Sequence, residues 1–389
     1  MSEDRRSKGT YHSLIGKPSL RVGLVMGLLM GLCSLLLLAA CGGEESAKGG
    51  GGGEHNKSTR SFAGPASTDG LIVFRRYLDL EGTKSAIFTM HPNGSHIRQI
   101  THPPEGFSDD SPAWSPDGTK VAFHRQRIDQ STSRIMVLNT KTGDEHQVVG
   151  GMEGSDPAFS PDGKRLAFKR SSGIWVVWSL DGSGSLDGSG SHHVTYVEKR
   201  GALEFEDFGP AFSPGGTMLV FERVRVADDN SAVFVQPIDS SITGSPEDTR
   251  QDARQITPWQ MGCGDGPEFS PKGDWVLFSC EGEGGSHLYW VHPNGTGLEQ
   301  LTNAPHGPDQ PDNVDYVGSS FSPEFDDEAW GNIAGNIVAA RYPAYGYEGN
   351  SDVFGMHIDH GVQETVNLTK SNTLDDAPSW GTYPPSARE

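Results

Sequence analysis

The sequence predicts an all-β fold: a six-bladed β-propeller closed by pairing strands from the two ends of its repeat region. Three observations carry this expectation. A seven-residue motif recurs along the chain. Apolar runs of strand length follow it. The two ends of the repeat region are complementary fragments of one repeat.

The motif is Pro-[Ala/Glu]-[Trp/Phe]-Ser-Pro-x-Gly. Full copies begin at Pro112, Pro157, Pro210 and Pro267. A degraded copy begins at Ser319, and a last partial copy runs from Pro378 to Gly381. The starts lie 45, 53, 57, 52 and 59 residues apart. That spacing fits one four-stranded propeller blade plus loops of variable length.

Each part of the motif has a physical reading. The aromatic residue (Trp114, Phe159, Phe212, Phe269) is placed to pack between neighbouring blades. Ser-Pro-Asp-Gly specifies a tight turn, because Pro fixes φ at the second position and Gly accepts positive φ at the fourth. A returning strand follows, as in Val121-Ala122-Phe123 and Leu219-Val220-Phe221. A third strand comes next, as in Ile135-Met136-Val137-Leu138. The fourth ends near Gln-Ile-Thr or Gln-Leu-Thr.

The ends differ from the middle. Residues 71–101 supply a returning, a third and a fourth strand with no inner strand before them. Residues 376–381 supply an inner strand with nothing after it. Together they make a sixth blade, and closing the ring removes free sheet edges.

Ahead of the repeats, basic residues over 5–21 precede an uncharged apolar run over 22–40. A basic flank and a small-residue end read as a secretory signal. Leu38-Ala39-Ala40-Cys41 resembles the bacterial lipobox, which implies cleavage before Cys41 and acylation of its thiol. The expected organisation is a lipoprotein signal peptide over 1–40, a Gly-rich tether over 41–69, the propeller over 70–381 and a tail over 382–389. The globular part is then extracytoplasmic and anchored to a membrane, on a periplasmic face or at the cell surface.

The formal net charge is −20. Residues 1–40 hold five basic and two acidic residues, so the remainder carries about −23. No basic footprint for nucleic acid is present. Strong acidity favours solubility and attracts cations or basic partners.

The motif set, with the turns His91-Pro92-Asn93-Gly94-Ser95 and His292-Pro293-Asn294-Gly295-Thr296, resembles the propeller repeats of the TolB family. The resemblance covers residues 70–381. It implies a six-bladed envelope propeller, here with a tether in place of the small α/β domain that precedes the propeller in TolB.

An acidic residue recurs just before each inner strand: Asp110 (beside Asp109), Asp156, Asp207, Asp265, Asp315, and Asp376 (beside Asp375). Two roles fit this pattern. A carboxylate ring at one channel mouth binds a divalent cation or a basic group. Alternatively, each Asp accepts backbone N–H bonds and fixes its own loop. Cys263 and Cys280 straddle the Ser270–Gly273 turn symmetrically, so pairing across that hairpin sets them opposite each other. Outside the cytoplasm this favours a disulfide over two separate thiols.

No Gly-x-Ser-x-Gly elbow, His-Glu-x-x-His or phosphate loop is present. The expectation is a non-enzymatic module with no cofactor beyond a cation at the mouth. Its propeller binds a protein, peptide or cell-envelope polymer on the face bearing the loops around 102–109, 197–208, 258–266, 304–318 and 370–376. The competing expectation is a metal-assisted enzyme centred in the channel, such as a polysaccharide lyase.

Overall fold

The structure is a computed structural model. It describes residues 70–79, 81–148, 153–178, 191–195, 204–238, 253–282, 285–302, 314–321, 334–343, 351–359 and 362–381. The signal segment, Cys41, the tether and the tail lie outside these residues.

Six four-stranded antiparallel sheets follow one another along the chain. Blade one joins β1 (Leu71–Tyr77), β2 (Ser85–Met90) and β3 (Arg98–Gln99) to the last strand, β24 (Asp375–Gly381). Blade two holds β4 (Phe107–Trp114), β5 (Lys120–Arg127), β6 (Ser133–Asn139) and β7 (Glu145–Gln147). Blade three holds β8 (Ser155–Phe159), β9 (Arg165–Arg170), β10 (Gly173–Trp178) and β11 (Ser191–His193). Blade four holds β12 (Phe205–Phe212), β13 (Met218–Arg225), β14 (Asn230–Pro237) and β15 (Arg254–Gln255). Blade five holds β16 (Cys263–Phe269), β17 (Val276–Gly282), β18 (Gly285–Val291) and β19 (Glu299–Gln300). Blade six holds β20 (Val314–Phe321), β21 (Ala334–Pro343), β22 (Asp352–Asp359) and β23 (Val362–Asn367).

The inner strands β4, β8, β12, β16, β20 and β24 each touch the next, and β24 touches β4, so the ring closes around one axis. The seam is the expected one. β24 pairs antiparallel with β1, with Ile72 opposite Trp380 and Arg76 opposite Asp375.

The motif turns form as the sequence predicts. Gly118, Gly163, Gly216 and Gly273 each donate their N–H to the carbonyl of the turn serine. All four have φ between +66° and +88°, a region open to glycine at no steric cost. The Gln-x-Thr segments have a role of their own. The hydroxyls of Thr101, Thr257 and Thr302 accept the third-strand N–H groups of Ile87, Val233 and Leu288.

The core lies between blades. Second-strand phenylalanines Phe74, Phe123, Phe168, Phe221 and Phe278 are fully buried. Each inter-blade cluster draws on two neighbours: Val73 and Ile87 of blade one pack with Trp114, Val121 and Phe123 of blade two. No blade can therefore bury its apolar surface alone, and stability is shared between neighbours.

Cys263 and Cys280 face each other across β16 and β17 and are bonded. Their separation of 17 residues closes a short loop, for which chain entropy gives ~2–4 kcal/mol. Reduction, or the Cys263→Ser/Cys280→Ser variant, is expected to lower unfolding free energy by ~2–4 kcal/mol in urea titration. An unchanged midpoint overturns this.

Candidate functional site

Every inner strand carries a β-bulge at the same place. The residue just before the motif Pro has positive φ in all six blades: Ser111, Asp156, Gly209, Gly266, Gly318 and Ala377. The ladder shifts register there in each blade. An extra residue at a bulge re-aims its neighbours. It separates acids only one residue apart in sequence into two environments.

Acids three residues before the motif Pro turn inward against a second-strand arginine. Asp109 pairs with Arg125 at 2.6 Å, Asp207 with Arg223 at 2.6 Å, and Asp375 with Arg76 at 2.7 Å. All three carboxylates are fully buried, and each arginine makes a two-pronged contact. The other blades vary this device. Arg170 lies over Trp175, Arg341 lies over Tyr316, and in blade five the arginine's place is taken by Cys280 of the disulfide. Three acids at this position therefore hold second-strand arginines of their own blades, through ion pairs and not through the backbone N–H bonds expected of a loop-fixing Asp.

The six acids expected at the mouth thus do not share one position. Asp207 belongs to the blade-fixing set, because its carboxylate is sealed against Arg223. Asp315 lies four residues before Ser319, on β20 opposite Tyr342, off the bulge. Asp110, Asp265 and Asp376 stand two before the motif start, and Asp156 one before, so these four are at the bulge.

The four bulge acids sit in a belt of polar contacts that crosses every joint between blades. Arg75 ion-pairs with Asp376 of its own blade and Asp110 of the next. Ser111 donates its hydroxyl to Asp156 at 3.2 Å. Lys169 reaches Glu206 at 3.4 Å. The Asp265 N–H donates to Glu222 at 3.2 Å, and the Gly318 N–H donates to Asp265 at 3.0 Å. The Trp380 N–H donates to the Ser320 hydroxyl at 3.1 Å.

The belt is electrostatically lopsided. The second-strand residue following the core position of Phe74 and its equivalents is Arg75, His124, Lys169, Glu222, Ser279 and Ala340 in blades one to six. Blades one to three thus place basic groups in the belt and blades four to six none. Burial raises the Asp110 carboxyl, but the charges of Arg75 and then His124 overcome this and hold it below its ordinary value. Glu222 is pushed up to about 7, first by burial and then by the charge of Asp265. Burial raises Asp265 to about 6 against the Gly318 N–H, with the charge of Asp376 adding to it. Glu268, where three blades have Ala113, Ala158 and Ala211, is raised to about 8 by burial despite its bond with Ser320.

Sequence reasoning singled out neither Glu222, Arg75, His124 nor Glu268. Reading each second strand at a fixed offset from its Phe shows the basic-to-acidic change around the ring. Among the described residues, no three His, Cys, Asp or Glu side chains are grouped to hold a metal ion.

The inner strands start, and the second strands end, on one face. The second-strand turns of this face carry exposed apolar residues at one repeated place: Leu78 after β1, Ile128 after β5 and Val226 after β13, at 41%, 41% and 43% exposure. Ile128 and Val226 donate their N–H groups to Gly106 and Glu204, just before the inner strands. An acid follows each within two residues: Asp79, Asp129 and Asp228.

No protein-family model matches the sequence, and no curated protein matches it. Solved structures do. TolB from Acinetobacter baumannii matches with a TM-score of 0.55 at 17% identity, over 80% of this chain and 66% of that one. This chain therefore spans just under two thirds of the Acinetobacter protein. The protein assigned as TolB in Agrobacterium tumefaciens gives 0.51 at 20% identity, over 82% and 91%. Hydrazine synthase from Kuenenia stuttgartiensis gives 0.55 at 12% identity, over 82% and 47%. Proteins this different share one fold, so the likeness speaks for the fold and assigns no function by itself. This chain has the six-bladed propeller fold seen in the TolB structures.

Proposed function

We propose that this protein is a non-enzymatic binding module of the cell envelope, anchored through acylated Cys41 and the tether over 41–69. Its propeller takes a partner protein or peptide on the face where the inner strands begin. A cell-envelope polymer is the other ligand class this face suits.

One observation carries the reading. Three of the four large hydrophobic residues exposed among the described residues occupy the same blade position on that face. Scattered exposed apolar residues are ordinary. Repetition at one place around a ring makes a three-point contact surface, and the acids beside it favour a partner with basic and apolar groups.

The test is capture from solubilised envelopes by the full chain and by its Leu78→Asp/Ile128→Asp/Val226→Asp variant. All three positions are exposed, so the fold is expected to survive, and a melt checks it. Affinity for a captured partner is expected to fall at least tenfold, since loss of central apolar contacts costs ~1–2 kcal/mol each. Equal capture by both proteins, or turnover of an envelope polymer by the purified chain, overturns the reading.

A further inference from the structure

The chain holds two Asn-Gly pairs, Asn93-Gly94 and Asn294-Gly295, at the same place in blades one and five. Each lies in the turn from the third strand to the fourth, and each turn is pinned in the same way. His91 and His292 donate their N–H groups to the carbonyls of Ser95 and Thr296, and Gly94 and Gly295 donate theirs back to the carbonyls of His91 and His292. The two glycines have φ of +77° and +87°. Both asparagines are exposed. An Asn-Gly pair is chemically reactive, because the glycine nitrogen can close a five-membered ring on the side-chain carbonyl and glycine has no Cβ to obstruct it. The two turns differ in what surrounds that carbonyl.

Asn294 Oδ1 accepts two hydrogen bonds, from the Thr296 N–H at 2.9 Å and the Thr296 hydroxyl at 2.6 Å. Asn93 Oδ1 accepts the Ser95 N–H at 3.0 Å, but the Ser95 hydroxyl is engaged with His96 Nδ1 at 2.9 Å. Donors aimed at a carbonyl oxygen stabilise the negative charge that develops there on nucleophilic addition. The Thr296 hydroxyl is thus a donor to Asn294 that the Ser95 hydroxyl is not to Asn93. The glycines differ independently. A Cβ on Gly94 would overlap the backbone carbonyl of Leu368 in blade six, so this glycine is seated against a neighbouring blade. The nearest atoms to a Cβ on Gly295 belong to Ile256, at 3.7 Å, and Gly295 is exposed. Gly295 has room to turn towards its asparagine where Gly94 has not.

We infer that Asn294 is a site of spontaneous covalent modification, deamidation to aspartate and isoaspartate through a cyclic imide, and that the fold protects Asn93 from it. The Gly295 nitrogen gives its proton to solvent and adds to Asn294 Cγ, and Oδ1 takes up the negative charge under the two Thr296 donors. The bond from Cγ to the side-chain nitrogen then breaks, and ammonia leaves with a proton from water. Water opens the imide at either carbonyl. Attack at Cγ gives aspartate, and attack at the main-chain carbonyl carbon of residue 294 gives isoaspartate. One water is consumed and one ammonia released, with no change of oxidation state. Either product adds a negative charge. Isoaspartate also adds a methylene to the main chain, inside a turn closed by the His292–Thr296 and Gly295–His292 hydrogen bonds. That turn seats His292 against Trp275, with ring centres 3.8 Å apart, so the change reaches the Trp275–Trp290 stack of blade five.

The test is peptide mapping by mass spectrometry after long incubation of the folded full chain at mildly alkaline pH. A gain of one mass unit is expected at Asn294, roughly fivefold or more faster than at Asn93, with isoaspartate identified by its backbone fragmentation. In urea, where neither turn persists, the two rates are expected to converge. Thr296→Val removes the hydroxyl and keeps the shape of the side chain. It is expected to slow the folded-state reaction at Asn294 severalfold, and Thr296→Ser to restore it. Thr296 is exposed, so both variants are expected to fold, and a melt checks this. An unmodified Asn294, equal rates at the two sites in the folded chain, or a rate indifferent to Thr296→Val overturns the inference. A ratio that persists in urea does so too, because it traces the difference to the sequence around each pair and not to the fold.

Discussion

Asp207→Ala is expected to destabilise the propeller by ~3–5 kcal/mol, because it strands Arg223 as a buried, unpaired charge. The Asp207 carboxylate is fully buried and the Arg223 side chain is 14% exposed. The same guanidinium lies over Phe221 and Phe234, in the packing between blades three and four. Removing the acid alone leaves the arginine neither paired nor hydrated. Replacing both partners, as in Asp207→Leu/Arg223→Met, is expected to recover most of the loss, since a buried pair exchanged for apolar groups is often close to neutral. Urea titration of the three proteins checks this. A loss below about 1 kcal/mol for Asp207→Ala, the range of an exposed pair, shows that the pair is not a structural element of its blade.

A rise in pH is expected to weaken the fold through Glu222, Asp265 and Glu268. In the unfolded chain these carboxyls ionise near 4. In the fold they retain protons up to about 7, 6 and 8. Between those limits the folded state binds more protons than the unfolded one, so stability falls as pH increases. Their contribution is fully present below about pH 4 and is lost as pH climbs through the folded values. At about 1.4 kcal/mol per pKa unit, the loss from each group alone is on the order of a few kcal/mol. Burial lowers His91, His146 and His193. Those groups add stability as pH rises towards their unfolded value and so oppose the carboxyls over that range. The difference between proteins isolates the carboxyls. Glu222→Gln/Glu268→Gln is expected to match the wild type near pH 5 and to exceed it near pH 9, near the ends of the range over which these acids titrate. A gap of the same size at both pH values overturns the assignment.

The ring was legible in the sequence because its signals are periodic. Motif copies at blade spacing, and half-blades at 71–101 and 376–381, leave one way to satisfy every strand edge. Cys263 and Cys280 were legible for a related reason, since hairpin symmetry about a recognised turn fixes register. The acids were legible only as a group. One inserted residue in each inner strand sends Asp207 into its blade and Asp110 to the belt, although both stand close before a motif Pro. The bulge has no single residue signature, since Ser111, Asp156 and Ala377 adopt the left-handed conformation that Gly209, Gly266 and Gly318 adopt freely. The exposed set of Leu78, Ile128 and Val226 was hidden differently. Each is an ordinary apolar residue in a turn, and only the ring gives the three a common face.

The closure of the first blade by the last strand also sets a timetable. Arg75 and Asp376 are 301 residues apart in sequence, yet β1 has no inner neighbour until β24 arrives. At ~5–20 residues per second of synthesis, β1 waits for about 15–60 s with an open edge. An unpaired edge is a template for pairing with other chains. The interval before closure is thus the period of greatest vulnerability for this chain. A holding factor, or export before folding, has its greatest effect there, and a slip in joining the two ends exposes every blade to unzipping from one seam.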